Sequence, residues 1–213
     1  MHCKICFKEI KISDFCRFFD NNICLCNACQ KLLEPKFINF KVENYKAIAL
    51  YEYSEFVKRQ IYLFKGCYDY EMKDIFLNLF IKELKIYFSG YKVIPIPSYK
   101  KDDELRGFNH VVEVFKMIGL DVLQIIEKTE HFKQAEKSAK ERQSIKKYLQ
   151  LNTEKSLKND RVLIVDDIYT TGSTMKAAIN LVEKLNPKEI KVLVLAKTKN
   201  KEDKKSNTKQ SLH

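Results

Sequence analysis

RVLIVDDIYTTGST, residues 161–174, is the stretch that decides the fold. Four consecutive apolar residues, Val162 to Val165, read as a strand buried on both faces of a parallel sheet. Two acids, Asp166 and Asp167, end it, and a hydroxyl-rich turn then opens the helix pattern TMKAAINLVEKLNP. In an open α/β sheet the carboxyl ends of the strands face the ligand crevice. Two carboxylates placed there can accept hydrogen bonds from two adjacent sugar hydroxyls. Thr170, Thr171, Gly172, Ser173 and Thr174 then present N–H groups and hydroxyls at a helix N-terminus, which suits a phosphate dianion. Gly172 lets the backbone approach without a Cβ clash. Strand, acid pair and cradle in that order describe a ribose 5-phosphate site. The plainer alternative is a strand–turn–helix with a threonine cap. It leaves unexplained two adjacent acids, neither with a cation beside it in sequence, which repel unless something binds them.

Outward from this stretch, strand-like and helix-like patterns alternate. KAIALYEY (46–53), KVIPIP (92–97), DVLQII (121–126) and KEIKVLVLAK (188–197) have strand composition. Ser54 is an N-cap candidate for a helix through EFVKRQIYLFK, whose Val57, Ile61 and Phe64 share one face. MKDIFLNLFIKELKIYF (72–88) and HVVEVFKMIGL (110–120) repeat apolar residues at helical spacing, and Gly90 follows the first as a stop signal. The expected fold is therefore α/β: a parallel sheet with flanking helices behind a small cysteine-rich cap. Residues 128–158 break the alternation. They carry nine Lys and Arg against four acids, and read as an excursion over the site or a solvated helical arm.

Six of the seven cysteines lie in the first 29 residues. Cys3-x-x-Cys6 and Cys26-x-x-Cys29 each place two thiolates on one tight turn, and two such turns complete a closed, structural four-cysteine zinc site. Cys24 or Cys16 could replace one of these ligands. So short a segment cannot hold itself together by burial, so metal binding would supply its folding energy.

Composition narrows the function. The five glycines are too scattered for a GxGxxG fingerprint or a GxxxxGK[ST] loop, and no HExxH occurs. No apolar run reaches the roughly 18 residues of a spanning helix, and the N-terminus lacks a secretory h-region. A cytoplasmic protein is expected, with peripheral attachment at the inner membrane face as the variant. The formal net charge is +11, from 39 Lys and Arg against 28 Asp and Glu, which favours a polyanionic partner. Residues 197–213 hold six lysines against Glu202 and Asp203 and read as a disordered basic tail. Aromatic and basic residues interleave over 45–65, as in single-strand binders, although the shared helical face argues for core. His110 and His131 have no partner visible in sequence and receive no catalytic role.

VLIVDDIYTTGST closely resembles the phosphoribosyl-pyrophosphate (PRPP) motif of type I phosphoribosyltransferases. Together with the cysteine-rich start and PIPSYKKDDELRGFNH, it makes the chain similar to the ComF (ComFC/GntX-like) family. The resemblance implies a zinc-binding module at 1–36, a phosphoribosyltransferase-like domain at 45–198 and a tail at 199–213. It implies that Asp166 and Asp167 hold ribose, that 170–174 hold the 5-phosphate, and that Ser98, Lys100, Lys101 and Arg106 contact diphosphate. Mg²⁺ would arrive with PRPP. The signature Arg106-Gly107-Phe108-Asn109 is followed by His110 where Gln is commoner, and Lys65-Gly66 matches the family's Lys-Gly element. Family members are associated with competence for DNA uptake, so single-stranded DNA and the uptake machinery are the implied partners. The alternatives are a phosphoribosyltransferase acting on a nucleobase or similar nitrogen acceptor, and a PRPP-sensing DNA-binding regulator.

Overall fold

The structure, a computed structural model, describes residues 1–10, 23–128 and 148–199. Cys16, His131, most of the basic excursion and nearly all of the tail lie outside the described residues. The cap supplies α1 (Asn27–Leu32), and a hairpin of β1 (Ile38–Val42) and β2 (Tyr45–Glu52) follows. Next come α2 (Glu55–Gly66), a 3₁₀ turn at Tyr70–Lys73, α3 (Asp74–Leu77), a second 3₁₀ turn at Asn78–Phe80 and α4 (Ile81–Tyr87). β3 (Tyr91–Pro95), α5 (Lys100–Arg106) and α6 (His110–Phe115) lead through a turn at Lys116–Ile118 to β4 (Ile126–Lys128). β5 (Leu149–Leu151), β6 (Arg161–Tyr169), α7 (Ser173–Glu183) and β7 (Glu189–Lys197) complete the described order.

The main sheet runs β1-β2-β7-β6-β3, parallel throughout except for the antiparallel edge pair β1–β2. Alternate residues of each strand enter two cores. Leu50, Val93, Leu163, Val165, Leu193 and Leu195 pack with α2, α3, α4 and α6. Ala49, Ile94, Ile164, Val192 and Val194 pack with α7 and the β4–β5 ribbon. Val57, Ile61 and Phe64 are buried in the first core, so the basic and aromatic run over 45–65 contributes mainly packing. The expected fold class holds, and the Ser54 hydroxyl caps α2 by accepting from Val57 N at 3.2 Å.

Three local expectations are corrected. Hairpin strand β1 was not foreseen, and the sheet begins at Ile38. DVLQII forms no sheet strand of its own: Val122 makes one bridge to Val93 at the β3 edge, and Ile126 already belongs to β4, which pairs with β5 instead. Residues 72–88 form broken helical turns rather than one helix. The buried Tyr51 hydroxyl donates to the Phe76 carbonyl at 2.6 Å, a carbonyl that a continuous helix would offer to Phe80 N–H. Cys24 Sγ lies 3.8 Å from the Asp74 carbonyl, and Asn78 Nδ2 donates back to Cys24 Sγ at 3.3 Å. The cap thus competes for the backbone groups that would extend the helix.

That competition also shows that the cap is not an independent bead. Cys3, Leu25, Cys29 and Leu33 belong to the same buried cluster as Tyr51, Phe76 and Leu77. Lys4 Nζ is 2.7 Å from Glu71 Oε2 and 2.5 Å from Asp74 Oδ2, which pins the cap to the start of α3.

Candidate functional site

In the cap, the Sγ atoms of Cys3, Cys6, Cys26 and Cys29 all lie within 4.8 Å of one another. Cys6 and Cys26 sulfurs are 3.6 Å apart. A tetrahedron with Zn–S near 2.3 Å has sulfurs about 3.8 Å apart, so closing up by about an ångström at most would complete a zinc site on this donor set. Cys24 faces Asp74 and Asn78 instead and stands outside the cluster. Burial opposes ionisation of Cys3, yet N–H groups of Cys26, Cys6 and Ile5 bring it down to about 6. Burial and the three neighbouring sulfurs push Cys29 up. Four close sulfurs become thiolates together only when a cation joins them.

The second site forms where β3 and β6 end and α5, α6 and α7 begin. Ser98, Arg106, Asp166, Asp167, Thr170 and Thr174 line one cavity of about 420 Å³, together with Tyr53, Lys65, His110 and Lys128. Strand alternation sends the two acids to different surroundings. Asp167 points to the α2–α6 side, where Lys65 Nζ is 2.6 Å and His110 Nε2 3.0 Å from its Oδ2. Its Oδ1 accepts from Ile168 N at 2.7 Å. Asp166 lies on the other side of the strand and, among the described residues, accepts the Asp167 N–H at 2.9 Å. No cation stands beside either acid in sequence, yet folding gives Asp167 one. Its cation comes from α2, far away in sequence.

Environment separates the two acids electrostatically. Burial would raise the Asp167 carboxyl, but the His110 hydrogen bond and the Lys65 charge outweigh it and hold the group below the usual carboxylate range. Burial and then the Asp167 charge push Asp166 well above that range. Burial also lowers His110 and Lys128 from their ordinary values.

RGFN builds this arrangement residue by residue. The Arg106 side chain is only 4% exposed. It donates from Nε to the Lys65 carbonyl at 2.9 Å and from Nη1 to Asp103 Oδ1 at 2.8 Å, which locks α5 to the end of α2. Gly107 terminates α5 at φ 81°, a left-handed conformation that favours glycine. Phe108 stacks on Phe64 at 5.3 Å. Asn109 caps α6 through Oδ1 to Val112 N at 3.0 Å, and its Nδ2 donates to Ser98 Oγ and Asp103 Oδ2. Arg106 and Ser98 thus reach the cavity wall with their polar atoms engaged. Lys100 and Lys101 are exposed on α5 and do not line the cavity.

At the other end, Thr170 and Thr174 line the cavity, while Thr171, Gly172 and Ser173 make the turn between them. Gly172 has φ 75°, and a Cβ there would sit 2.3 Å from Tyr169 Oη. No side chain caps the first turn of α7, and the Thr171 and Ser173 hydroxyls are 3.0 Å apart. Those N–H groups and hydroxyls are placed where an anion could accept from them. Sequence reading missed His110, Lys128 and Tyr53 and met Lys65 only through the resemblance, since nothing local ties any of them to the acids. A second cavity of about 490 Å³ adjoins, lined by Tyr53, Arg59, Tyr62, Lys65 and Ile168 among others. Among the described residues no helix is long and apolar enough to cross a membrane.

The Phosphoribosyl transferase domain family model matches residues 107–212. Competence protein ComFC of Streptococcus pneumoniae is 27% identical over 149 residues, covering 70% of this chain and 67% of that protein. Competence protein F of Haemophilus influenzae is 34% identical over 113 residues, covering 49% of each chain. Adenine phosphoribosyltransferase of Bacteroides fragilis is 50% identical over 44 residues, covering 21% of this chain and 25% of that one. The matched stretches span about two thirds of the first competence protein and about half of the second. With a mostly parallel sheet, an acid pair at the end of β6 and four clustered N-terminal cysteines, the chain has a type I phosphoribosyltransferase-like fold and is similar to the ComFC and F competence proteins.

Proposed function

We propose that this protein binds PRPP as its Mg²⁺ complex at the end of β6 and takes part in DNA uptake, handling incoming single-stranded DNA on the cytoplasmic side. One observation carries the PRPP reading: Asp166, Thr170 and Thr174 line a single cavity before a helix whose first turn no side chain caps. Asp166 supplies the acceptor for the ribose hydroxyls. Asp167, held on the protein side by Lys65 and His110, fixes the strand end and adds negative charge toward the metal-bound ligand. The α7 N-terminus, with Thr170 through Thr174, receives the 5-phosphate. Lys65 and Lys128 stand in the wall on the diphosphate side. Mg²⁺ would arrive with the ligand, so the chain needs no dedicated cage. Zinc on Cys3, Cys6, Cys26 and Cys29 holds the cap closed.

The DNA part rests on the +11 charge and on the names of the competence relatives. Its signature is sequence-indifferent affinity that falls steeply with salt, by roughly 0.7 log unit per log unit of salt for each phosphate contacted.

Titration calorimetry with Mg²⁺–PRPP tests the site. Asp166→Asn removes the charged acceptor, and at about 1.5–3 kcal/mol per charged hydrogen bond the affinity falls by roughly 10- to 150-fold. Equal affinity in wild type and variant refutes the assignment.

A second reading is transfer of phosphoribose to a nitrogen nucleophile. The adjoining aromatic and basic cavity, which shares Tyr53, Lys65 and Ile168 with the PRPP site, favours it. Pyrophosphate release from Mg²⁺–PRPP with any member of a nucleobase panel would establish it.

A further inference from the structure

At the opposite end of the sheet, Lys41 of β1 is in register with Lys46 of β2, and Lys46 with Lys191 of β7. Register partners share a face, so the three lysines stand abreast across neighbouring strands, roughly 5 Å from one to the next. Lys41 and Lys46 are exposed, and no carboxylate comes within ion-pair reach of either among the described residues. Lys191 has Glu189 at 3.8 Å, and its Nζ lies 5.0 Å from the Tyr87 ring and 4.9 Å from the Tyr91 ring. Like charges directly opposite one another destabilise a sheet. The row therefore carries a cost that a bound anion would relieve.

The row floors an open groove of about 480 Å³, with Tyr87 and Phe88 at the end of α4 forming one wall and Asn39 and Ile48 completing the floor. Tyr87 is 56% exposed, so its ring is available to solvent rather than spent in the core. Cations in a line beside an exposed aromatic ring are what a flexible phosphate chain with unstacked bases requires. A duplex would use the lysines but not the ring.

We propose that this groove binds single-stranded DNA, with Lys41, Lys46 and Lys191 on the phosphates and Tyr87 stacking a base. The inference rests on the single-strand half of the function proposed above and gives it a place. Lys191 lies six residues before Lys197 on β7, so the groove sits about 20 Å from the PRPP end at ~3.3 Å per residue. DNA and PRPP binding are then separable by substitution.

The test is fluorescence anisotropy with a labelled oligothymidine over a salt titration, with Mg²⁺–PRPP calorimetry and thermal melting as controls. Lys191 is left intact because it packs on two rings. Lys41→Gln with Lys46→Gln lowers the log–log salt slope by about 1.4 and weakens binding roughly eightfold per lysine near 50 mM salt. Tyr87→Ala weakens single-strand binding by about five- to hundredfold, Tyr87→Phe restores it, and duplex binding is indifferent to both. PRPP affinity and melting stay at wild-type values. Wild-type protein that binds oligothymidine with both sets of variants unaffected overturns the groove alone. No oligothymidine binding by the wild type overturns the single-strand reading itself. Loss of phosphatidylglycerol-vesicle binding in the lysine double variant, with oligothymidine binding retained, reassigns the surface to membrane and also overturns the proposal.

Discussion

His110 Nε2 stands 3.0 Å from Asp167 Oδ2. The other ring nitrogen, Nδ1, is 3.2 Å from Arg106 Nη1, which can only donate. An ionised Asp167 can only accept. The imidazole is therefore neutral, with its proton on Nε2, in agreement with the burial that lowers its pKa. Arg106, His110, Asp167 and Lys65 form one chain of hydrogen bonds joining α5, α6, β6 and α2. The adjacent acids consequently differ: Asp167 is engaged within the protein, and under the function proposed above Asp166 is the acid that would meet the ligand.

Asp167→Asn should destabilise the protein where Asp166→Asn does not. The amide keeps the shape but loses the charge facing Lys65 and the strong acceptor for the buried His110 N–H. Expected loss is about 1–3 kcal/mol in urea denaturation. The lowered Asp167 pKa adds a pH signature. Its contribution is full above the unfolded value near ~3.9 and disappears as pH falls through the lower native value. Unchanged denaturation midpoints in Asp167→Asn would contradict the anchoring role.

Asp166→Asn should raise the melting temperature of the ligand-free protein, and more at pH 7 than at pH 4. The Asp166 pKa is raised in the folded state, so the native protein binds the extra proton and loses stability as pH rises from the unfolded value toward the native one. At pH 4 the folded group is protonated and the unfolded one already about half so, and the difference shrinks. A variant that melts lower than wild type at neutral pH would show that the charge is already satisfied within the protein. Stability gained at a binding residue is the expected exchange for lost affinity.

One zinc per chain is expected, held by Cys3, Cys6, Cys26 and Cys29. Cys26→Ser should lose the metal, whereas Cys24→Ser and Cys67→Ser should keep it. The cap shares its core with Tyr51, Phe76 and Leu77, so chelation should lower the melting of the whole protein rather than release a separate transition. Metal analysis of protein purified without chelators, followed by calorimetric melting, checks both points; metal-free wild type sinks the assignment.

Gly172→Ala should damage the phosphate cradle. The residue sits at φ 75°, where an L side chain costs about 1–2 kcal/mol. A Cβ would also collide with the Tyr169 ring, whose hydroxyl is 2.3 Å from that point. The Tyr169 ring must move aside and the left-handed backbone is strained, so Mg²⁺–PRPP affinity in calorimetry should drop with little change in zinc content. Undiminished affinity would mean that the 5-phosphate does not approach this backbone.

The parallel α/β sheet, the strand ending in two acids, the turn into α7, the Ser54 cap and the paired cysteines were all legible in the sequence. Each depends on residues only a few positions apart: an apolar run, a capping hydroxyl, a glycine needing positive φ, a CxxC turn. The ring of partners around the acids was not. Lys65 and His110 reach Asp167 across 102 and 57 positions. No local pattern distinguishes them from a surface lysine and a packed histidine. The same limit hid the lysine row, because Lys41 and Lys46 meet Lys191 only once β2 pairs with β7. It also concealed the break in 72–88, where Tyr51 and Cys24 take backbone partners from a segment whose own periodicity calls for one helix. Short-range stereochemistry determined the elements and the cradle. Which acid is anchored, which cysteines converge and where the open positive surface lies were decided by packing, because burial and charge partnership come from residues that the chain brings together only on folding.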